Sequence, residues 1–156
     1  MNESALPGPA PLEPVERSRV EWSGISADPA GATLVRTELT RWLEHHFALD
    51  RDRTSDVALA VYEALANAVE AATATDPTMD VHASYDPGDR TLAVTVVDRG
   101  EWRLAPLVTS PAPSHRGRGI PLMRALADHT RIDTDDGGTA VRLTWHGVEA
   151  LDSRMG

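Results

Sequence analysis

Two segments of alternating apolar and polar residues, Met79 to Asp86 and Arg90 to Asp98, are joined by Asp86-Pro87-Gly88-Asp89. Alternation with period two is the mark of a strand with one buried face, and a Pro-Gly turn this short allows two such strands to pair only antiparallel. Any fold open to the chain must contain this hairpin. The residues before it are helical in pattern. Asp28 offers an N-cap ahead of Pro29, and Ala32, Val35, Leu39, Trp42, Leu43 and Phe47 recur at helical spacing, which predicts a helix ending near Phe47. A second helix is predicted from about Arg51 to Thr73, capped by Asp50 and burying Val57, Val61, Leu65, Ala68 and Ala72.

The flanks complete the order. Arg17 to Ser23 reads as a first strand with Val20 and Trp22 on one face, followed by the turn residues Gly24 and Ser26. After the hairpin, Gly100 to Gly117 carries Pro106, Pro111 and Pro113 among small polar residues and reads as a lid rather than a regular element. A helical pattern returns from Gly119 to Asp128, with Leu122, Met123 and Leu126 apolar. Strands follow at Thr130 to Thr134 and Thr139 to Trp145, turned by Gly137-Gly138. Trp42 and Trp145 fall on core faces, as does Trp22. Strands and helices do not alternate singly, so a doubly wound parallel sheet is excluded and an α+β two-layer sandwich is expected.

The 156 residues suit one domain, expected over 15–147, between a flexible tail at 1–14 carrying Pro7, Pro9, Pro11 and Pro14 and a second flexible tail at 148–156. No apolar run approaches membrane-span or signal-peptide length, so a soluble cytoplasmic protein is expected. With no cysteine, disulfides, thiolate metal sites and a cysteine nucleophile are excluded. A net charge of −9 opposes general nucleic-acid binding, which needs a positive surface to displace counterions. Arg116, Arg118 and Arg124 nevertheless cluster locally. His45, His46, His82, His115, His129 and His146 have no ligand spacing that specifies a transition metal.

Four short motifs carry the candidate chemistry. Glu63, Asn67 and Glu70 stand at i, i+4 and i+7 and so share one face of the second helix. Val96-Val97-Asp98-Arg99-Gly100 ends a β-branched strand in a carboxylate followed by glycine. Arg116-Gly117-Arg118-Gly119-Ile120-Pro121-Leu122-Met123 leads glycines into a helix, whose N-terminal N–H groups and arginines suit an anion such as phosphate. Gly138-Thr139-Ala140-Val141 turns into the last strand. Each taken singly also fits an ordinary surface stripe, turn or helix start. Their order is what separates them from coincidence.

In that order the motifs resemble the N, G1, G2 and G3 boxes of the GHKL (Bergerat-fold) ATPases, over roughly Ile25 to Trp145. The resemblance implies a mixed, mostly antiparallel sheet of about five strands with three helices on one face. The short lid, the phrase Gly-Arg-Gly-Ile-Pro-Leu-Met-Arg-Ala-Leu-Ala-Asp and the small size look most like the serine kinases that act as anti-sigma factors and their actinobacterial relatives. Sensor histidine kinases need a preceding helical hairpin, and gyrase or MutL-type ATPases a following transducer. Neither is expected in a chain of this length.

The resemblance implies ATP and Mg²⁺ as cofactors and assigns roles by position. Asn67 would ligate Mg²⁺ through its side-chain oxygen, and Asp98 would accept a hydrogen bond from the adenine amino group. Gly100, Gly117 and Gly119 would let backbone approach the nucleotide, and Thr139 would support the adenine contact. Glu63 would be the general base toward a target serine hydroxyl. The basic residue at the γ-phosphate stays open among His115, Arg116 and Arg118. Ala71 stands where many relatives carry a histidine. The implied partners are a STAS-type anti-sigma-factor antagonist as phosphorylation substrate and a sigma factor, with a homodimer common among relatives. An alternative from another class is an ATP-gated module that sequesters a regulator without phosphoryl transfer.

Overall fold

The N-caps foreseen for the two helices are in place. The Asp28 carboxylate accepts the Gly31 N–H at 2.8 Å ahead of α1 (Pro29–His46), and Asp50 accepts that of Arg53 at 2.7 Å ahead of α2 (Arg51–Ala71). Each cap satisfies one of the four N–H groups that a helix start leaves without an intrahelical acceptor. The computed structural model describes residues 18–72, 77–99, 115–135 and 137–151. The Pro-rich head, residues 73–76, 100–114 and 136, and the last residues 152–156 lie outside them, and with them most of the predicted lid; its final residues, His115 to Gly117, are helical and open the third helix, where no regular element was expected.

Five strands form one sheet in the order β1-β2-β3-β5-β4: β1 (Arg19–Ser26), β2 (Thr78–Asp86), β3 (Thr91–Asp98), β4 (His129–Asp135) and β5 (Gly138–Trp145). Every pairing among them is antiparallel, in keeping with the mostly antiparallel sheet of about five strands that was expected. Alternation decides which side is covered. Met79, Val81, Ala83 and Tyr85 of β2, Leu92, Val94 and Val96 of β3, and Val141, Leu143 and Trp145 of β5 are buried. They share a core with Leu39, Leu43, Val57, Val61 and Leu65 of α1 and α2 and with Met123 of α3 (His115–Leu126). Each fully buried Leu, Val or Met contributes roughly 1.5–3 kcal/mol. The result is an α+β two-layer sandwich.

Three boundaries differ from expectation. Gly24 does not end β1 but sits inside it. Trp22 opposes Val81 and Ile25 opposes Met79, so Ser23 and Gly24 together face the single Asp80, and this bulge lets the strand run on to Ser26. A φ of 64° at Gly24 is one that glycine adopts without strain. The third helix spans His115–Leu126 instead of Gly119 to Asp128, because the Asp128 N–H is diverted to the Thr144 carbonyl at 2.9 Å and its carboxylate takes the His146 N–H at 2.7 Å. Residues 148–151, expected in the C-terminal tail, pack onto the domain. Val148 is buried, its carbonyl accepts the buried Tyr85 hydroxyl at 2.6 Å, and Ala150 bridges to Phe47.

The elements share a polarity that builds one functional end. β3 ends, β5 begins and α2 ends on the same side of the molecule, since Asp98 pairs with both Met79 near the start of β2 and Thr139 near the start of β5. The C-terminus of α3 is fixed at the opposite end, where Trp145 Nε1 donates to the Leu126 carbonyl at 2.9 Å. The N-terminal turn of α3 is thereby directed toward the end of α2.

Candidate functional site

One turn before α2 ends, Asn67 is 0% exposed, and neither its Oδ1 nor its Nδ2 has a hydrogen-bond partner among the described residues. An amide in that condition has lost its water without replacement, at a cost of about 1–3 kcal/mol. Such a cost persists where the group serves something other than the resting fold. Glu63, one turn earlier on the same face, is half-buried, and Glu70 is exposed at the rim.

Gly119 closes over this pair. A β-carbon built on it would stand 3.2 Å from Asn67 Oδ1, 3.2 Å from Glu63 Oε1 and 3.4 Å from Asn67 Nδ2. Glycine therefore allows the first turns of α3 to lie directly on the polar face of α2. The amide oxygen and the carboxylate thus face one point on α3, one turn past its start at His115. Ala71, one turn past Asn67, is a buried apolar contact.

The second half of the site lies at the strand ends. Asp98 is 3% exposed and sits on the helix-facing side of β3, in register with Thr139, itself 2% exposed. The Thr139 hydroxyl lies 3.4 Å from that of Thr134 on β4. Between them Gly138 allows an approach no other residue permits, since its β-carbon would fall 1.9 Å from the Asp98 carbonyl oxygen and 2.8 Å from Arg99 Cα, at a φ of 141°. Gly138→Ala is therefore expected to destabilise the domain by about 3 kcal/mol, from the unfavourable φ and the overlap together. Thermal denaturation should show the midpoint falling by about 10 °C.

Sequence reasoning pointed to Gly138-Thr139 but passed over what Gly138 does. The paired glycines were the available signal. It also passed over Asp80 and Arg99, which brace the same strand end from the other face of the sheet. Asp80 Oδ1 accepts the Gly24 N–H at 2.7 Å, and Arg99 pairs with Asp80 Oδ2 at 2.5 Å and donates to the Thr78 hydroxyl at 3.3 Å. The Gly24 N–H first, and the Arg99 guanidinium after it, hold the Asp80 carboxyl below the ordinary carboxylate range against the opposing effect of burial. A lowered carboxyl pKa stabilises the fold above the unfolded value, and that stability is lost as pH falls through the folded one.

The structure thus brings Glu63, Asn67 and Gly119 together, and Asp98 and Thr139 together. Gly117, Arg116 and Arg118 fall in the N-terminal part of α3, as does His115. The side chains of the two arginines and the histidine lie outside the described residues, as does Gly100. No group of three or more His, Asp or Glu among the described residues is placed to hold a metal. What is present still fits a magnesium nucleotide. A buried neutral amide oxygen with no partner among the described residues suits a cation that keeps most of its ligands as water and phosphate oxygen, and a buried acceptor at Asp98 suits an amino group on a flat ring.

A two-layer sandwich with a carboxylate at a strand end and a glycine-led helix laid on the polar face of its second helix has the build of a nucleotide-binding domain of the GHKL type. Residues 25–145 match the histidine kinase-like ATPase domain, and the chain belongs to that family. It is an ATPase-type, kinase-like domain. Among solved structures it is similar to that of the RsbU and RsbW domains of Rv1364c from Mycobacterium tuberculosis, with a TM-score of 0.65 and 27% identity over 86% of this chain. This chain spans 33% of that one. A weaker likeness, with a TM-score of 0.41 and 20% identity over 60% of this chain and 44% of the other, is to the histidine kinase domain of the blue-light activated histidine kinase EL346 from Erythrobacter litoralis. No helix among the described residues is long and apolar enough to cross a membrane.

Proposed function

We propose that the chain is an ATP-dependent protein serine kinase of the anti-sigma-factor type. Its substrate is a serine of a STAS-type antagonist, its other partner is a sigma factor, and it works in the cytoplasm. The observation that carries the reading is that Glu63 and the Asn67 amide, which has no partner among the described residues, lie together beneath Gly119. A carboxylate beside a cation ligand at a helix N-terminus is what transfer of a phosphoryl group to a hydroxyl requires. The 27% identity to a structure that includes an RsbW domain supports the same reading.

Asn67 holds the cation through its neutral oxygen, which leaves the metal's charge available to the phosphates it neutralises. Glu63 takes the proton of the incoming serine hydroxyl. Gly100, Gly117 and Gly119 admit the nucleotide close to backbone, and Arg116 or Arg118 reaches the terminal phosphate. Asp98 accepts the adenine amino group, supported by the Thr139 hydroxyl across the β3–β5 ladder.

Guanine turns a carbonyl toward Asp98, leaving two acceptors face to face. Mg-ATP is therefore expected to bind about five- to a hundredfold more tightly than Mg-GTP, the equivalent of an unpaired buried acceptor. Calorimetry with both nucleotides measures this, and equal affinities would remove Asp98 from base recognition. Incubation with labelled ATP and STAS-type antagonists then tests the reaction. Label on an antagonist serine is the expected result, whereas ATP-dependent complexes without transfer would identify a sequestering module instead.

A further inference from the structure

The Arg99–Asp80 pair on the open face of the sheet has a geometry that an ordinary surface ion pair lacks. Asp80 stands opposite the bulge of β1, where two residues face one and the ladder leaves an N–H over. Its carboxylate accepts that N–H, from Gly24, with one oxygen and the Arg99 guanidinium with the other. Arg99 is the first residue past the end of β3 and also donates to Thr78, so it reaches back across β2. Side chains alternate along a strand, so Arg99 grips the open face while Asp98, its neighbour, points into the covered one. The backbone between them is thus fixed from both sides, with Gly138 packed on the Asp98 carbonyl from β5.

We infer that Arg99 is a positioning residue: held by Asp80 and the Gly24 bulge, it sets the aim of Asp98 and with it the choice of purine. This rests on the nucleotide-site reading above. A carboxylate that recognises one edge of a flat ring must be held to within about 0.5 Å and 10–20°. The strand end that carries Asp98 has lost its ladder partners one residue later, which makes the position hard to hold by sheet pairing alone. Bulges recur beside binding sites, where they re-aim a side chain or end a pairing. Arg99 does not touch the nucleotide in this account.

Arg99 is about half exposed while Asp80 is largely covered, and solvent at the guanidinium limits what the pair adds to stability, so selection is expected to suffer more than folding. Wild type, Arg99→Ala, Arg99→Lys and Asp80→Asn are titrated with Mg-ATP and Mg-GTP by calorimetry, melted without ligand, and compared by backbone amide NMR in the ligand-free state. Arg99→Ala and Asp80→Asn should bind Mg-ATP about tenfold more weakly, and their ATP-to-GTP ratio should fall toward one. Their melting points should stay within a few degrees of wild type. Their amide shifts should change as far as Asp98 and Thr139, and Arg99→Lys should recover most of the ratio. Unchanged ATP affinity and ratio in both variants would overturn the inference and leave the nucleotide site standing. Unfolding of both would make the pair a structural brace, also overturning it. A wild type blind to Mg-ATP would sink the nucleotide reading itself, and the positioning role with it.

Discussion

Asn67→Leu is expected to make the ligand-free domain as stable as wild type or more so, and to remove its affinity for Mg-ATP. The two effects have one origin. Asn67 is wholly buried with both amide atoms unpartnered among the described residues, so in the resting fold it contributes desolvation cost and no hydrogen bond. Leucine is close in volume and carries no polar atom. Replacing an unsatisfied polar group by an apolar one of similar shape should gain about 1–3 kcal/mol at this position, less any misfit of the branched side chain. Urea denaturation reads that gain as a higher midpoint at unchanged slope.

On the proposed reading the same substitution deletes the cation ligand of α2. A hydrogen-bond or metal contact to a charged group carries about 1.5–3 kcal/mol, so affinity for Mg-ATP should drop at least ten- to a hundredfold. A variant that lost stability and kept nucleotide affinity would show that the amide serves the fold, with partners that include residues beyond those described. Opposite signs in the two measurements are hard to obtain from a residue placed for packing alone. Gain of stability at the expense of binding is a signature of a group retained for function.

Most of the architecture was legible because it rests on local rules. Asp28-Pro29 and Asp50 mark helix starts by supplying an acceptor for free N–H groups, and the alternation on either side of Asp86-Pro87-Gly88-Asp89 fixes both the hairpin and its buried face. The misreadings are of another kind. Gly24 looked like a turn, because glycine marks turns and bulges alike and only the partner strand decides between them. Residues 148–151 looked like a tail because their anchors, Tyr85 and Phe47, are respectively more than sixty and about a hundred residues away in sequence. In the site, Glu63 and Asn67 were visible through helical spacing, whereas Asp80 and Arg99 are an ordinary acid and base until β1, β2 and β3 are laid side by side.

Glu63→Gln should separate catalysis from binding. Glutamine matches glutamate in size, so it keeps the carboxamide oxygen where Gly119 leaves room, 3.2 Å from the place of a β-carbon, and opens no cavity as alanine would. What it loses is the ability to accept a full proton. Positioned general bases contribute about 10²–10⁴-fold, so the single-turnover rate of transfer to an antagonist serine should fall by that factor. Mg-ATP affinity should stay within a few-fold of wild type, because Asn67 and Asp98 are untouched. A loss confined to k in this way places the interaction in the transition state, whereas a raised KM with an unchanged rate would make Glu63 a binding group. An unchanged rate and an unchanged affinity together would remove Glu63 from the chemistry, and the polar face of α2 would then owe its arrangement to Asn67 alone.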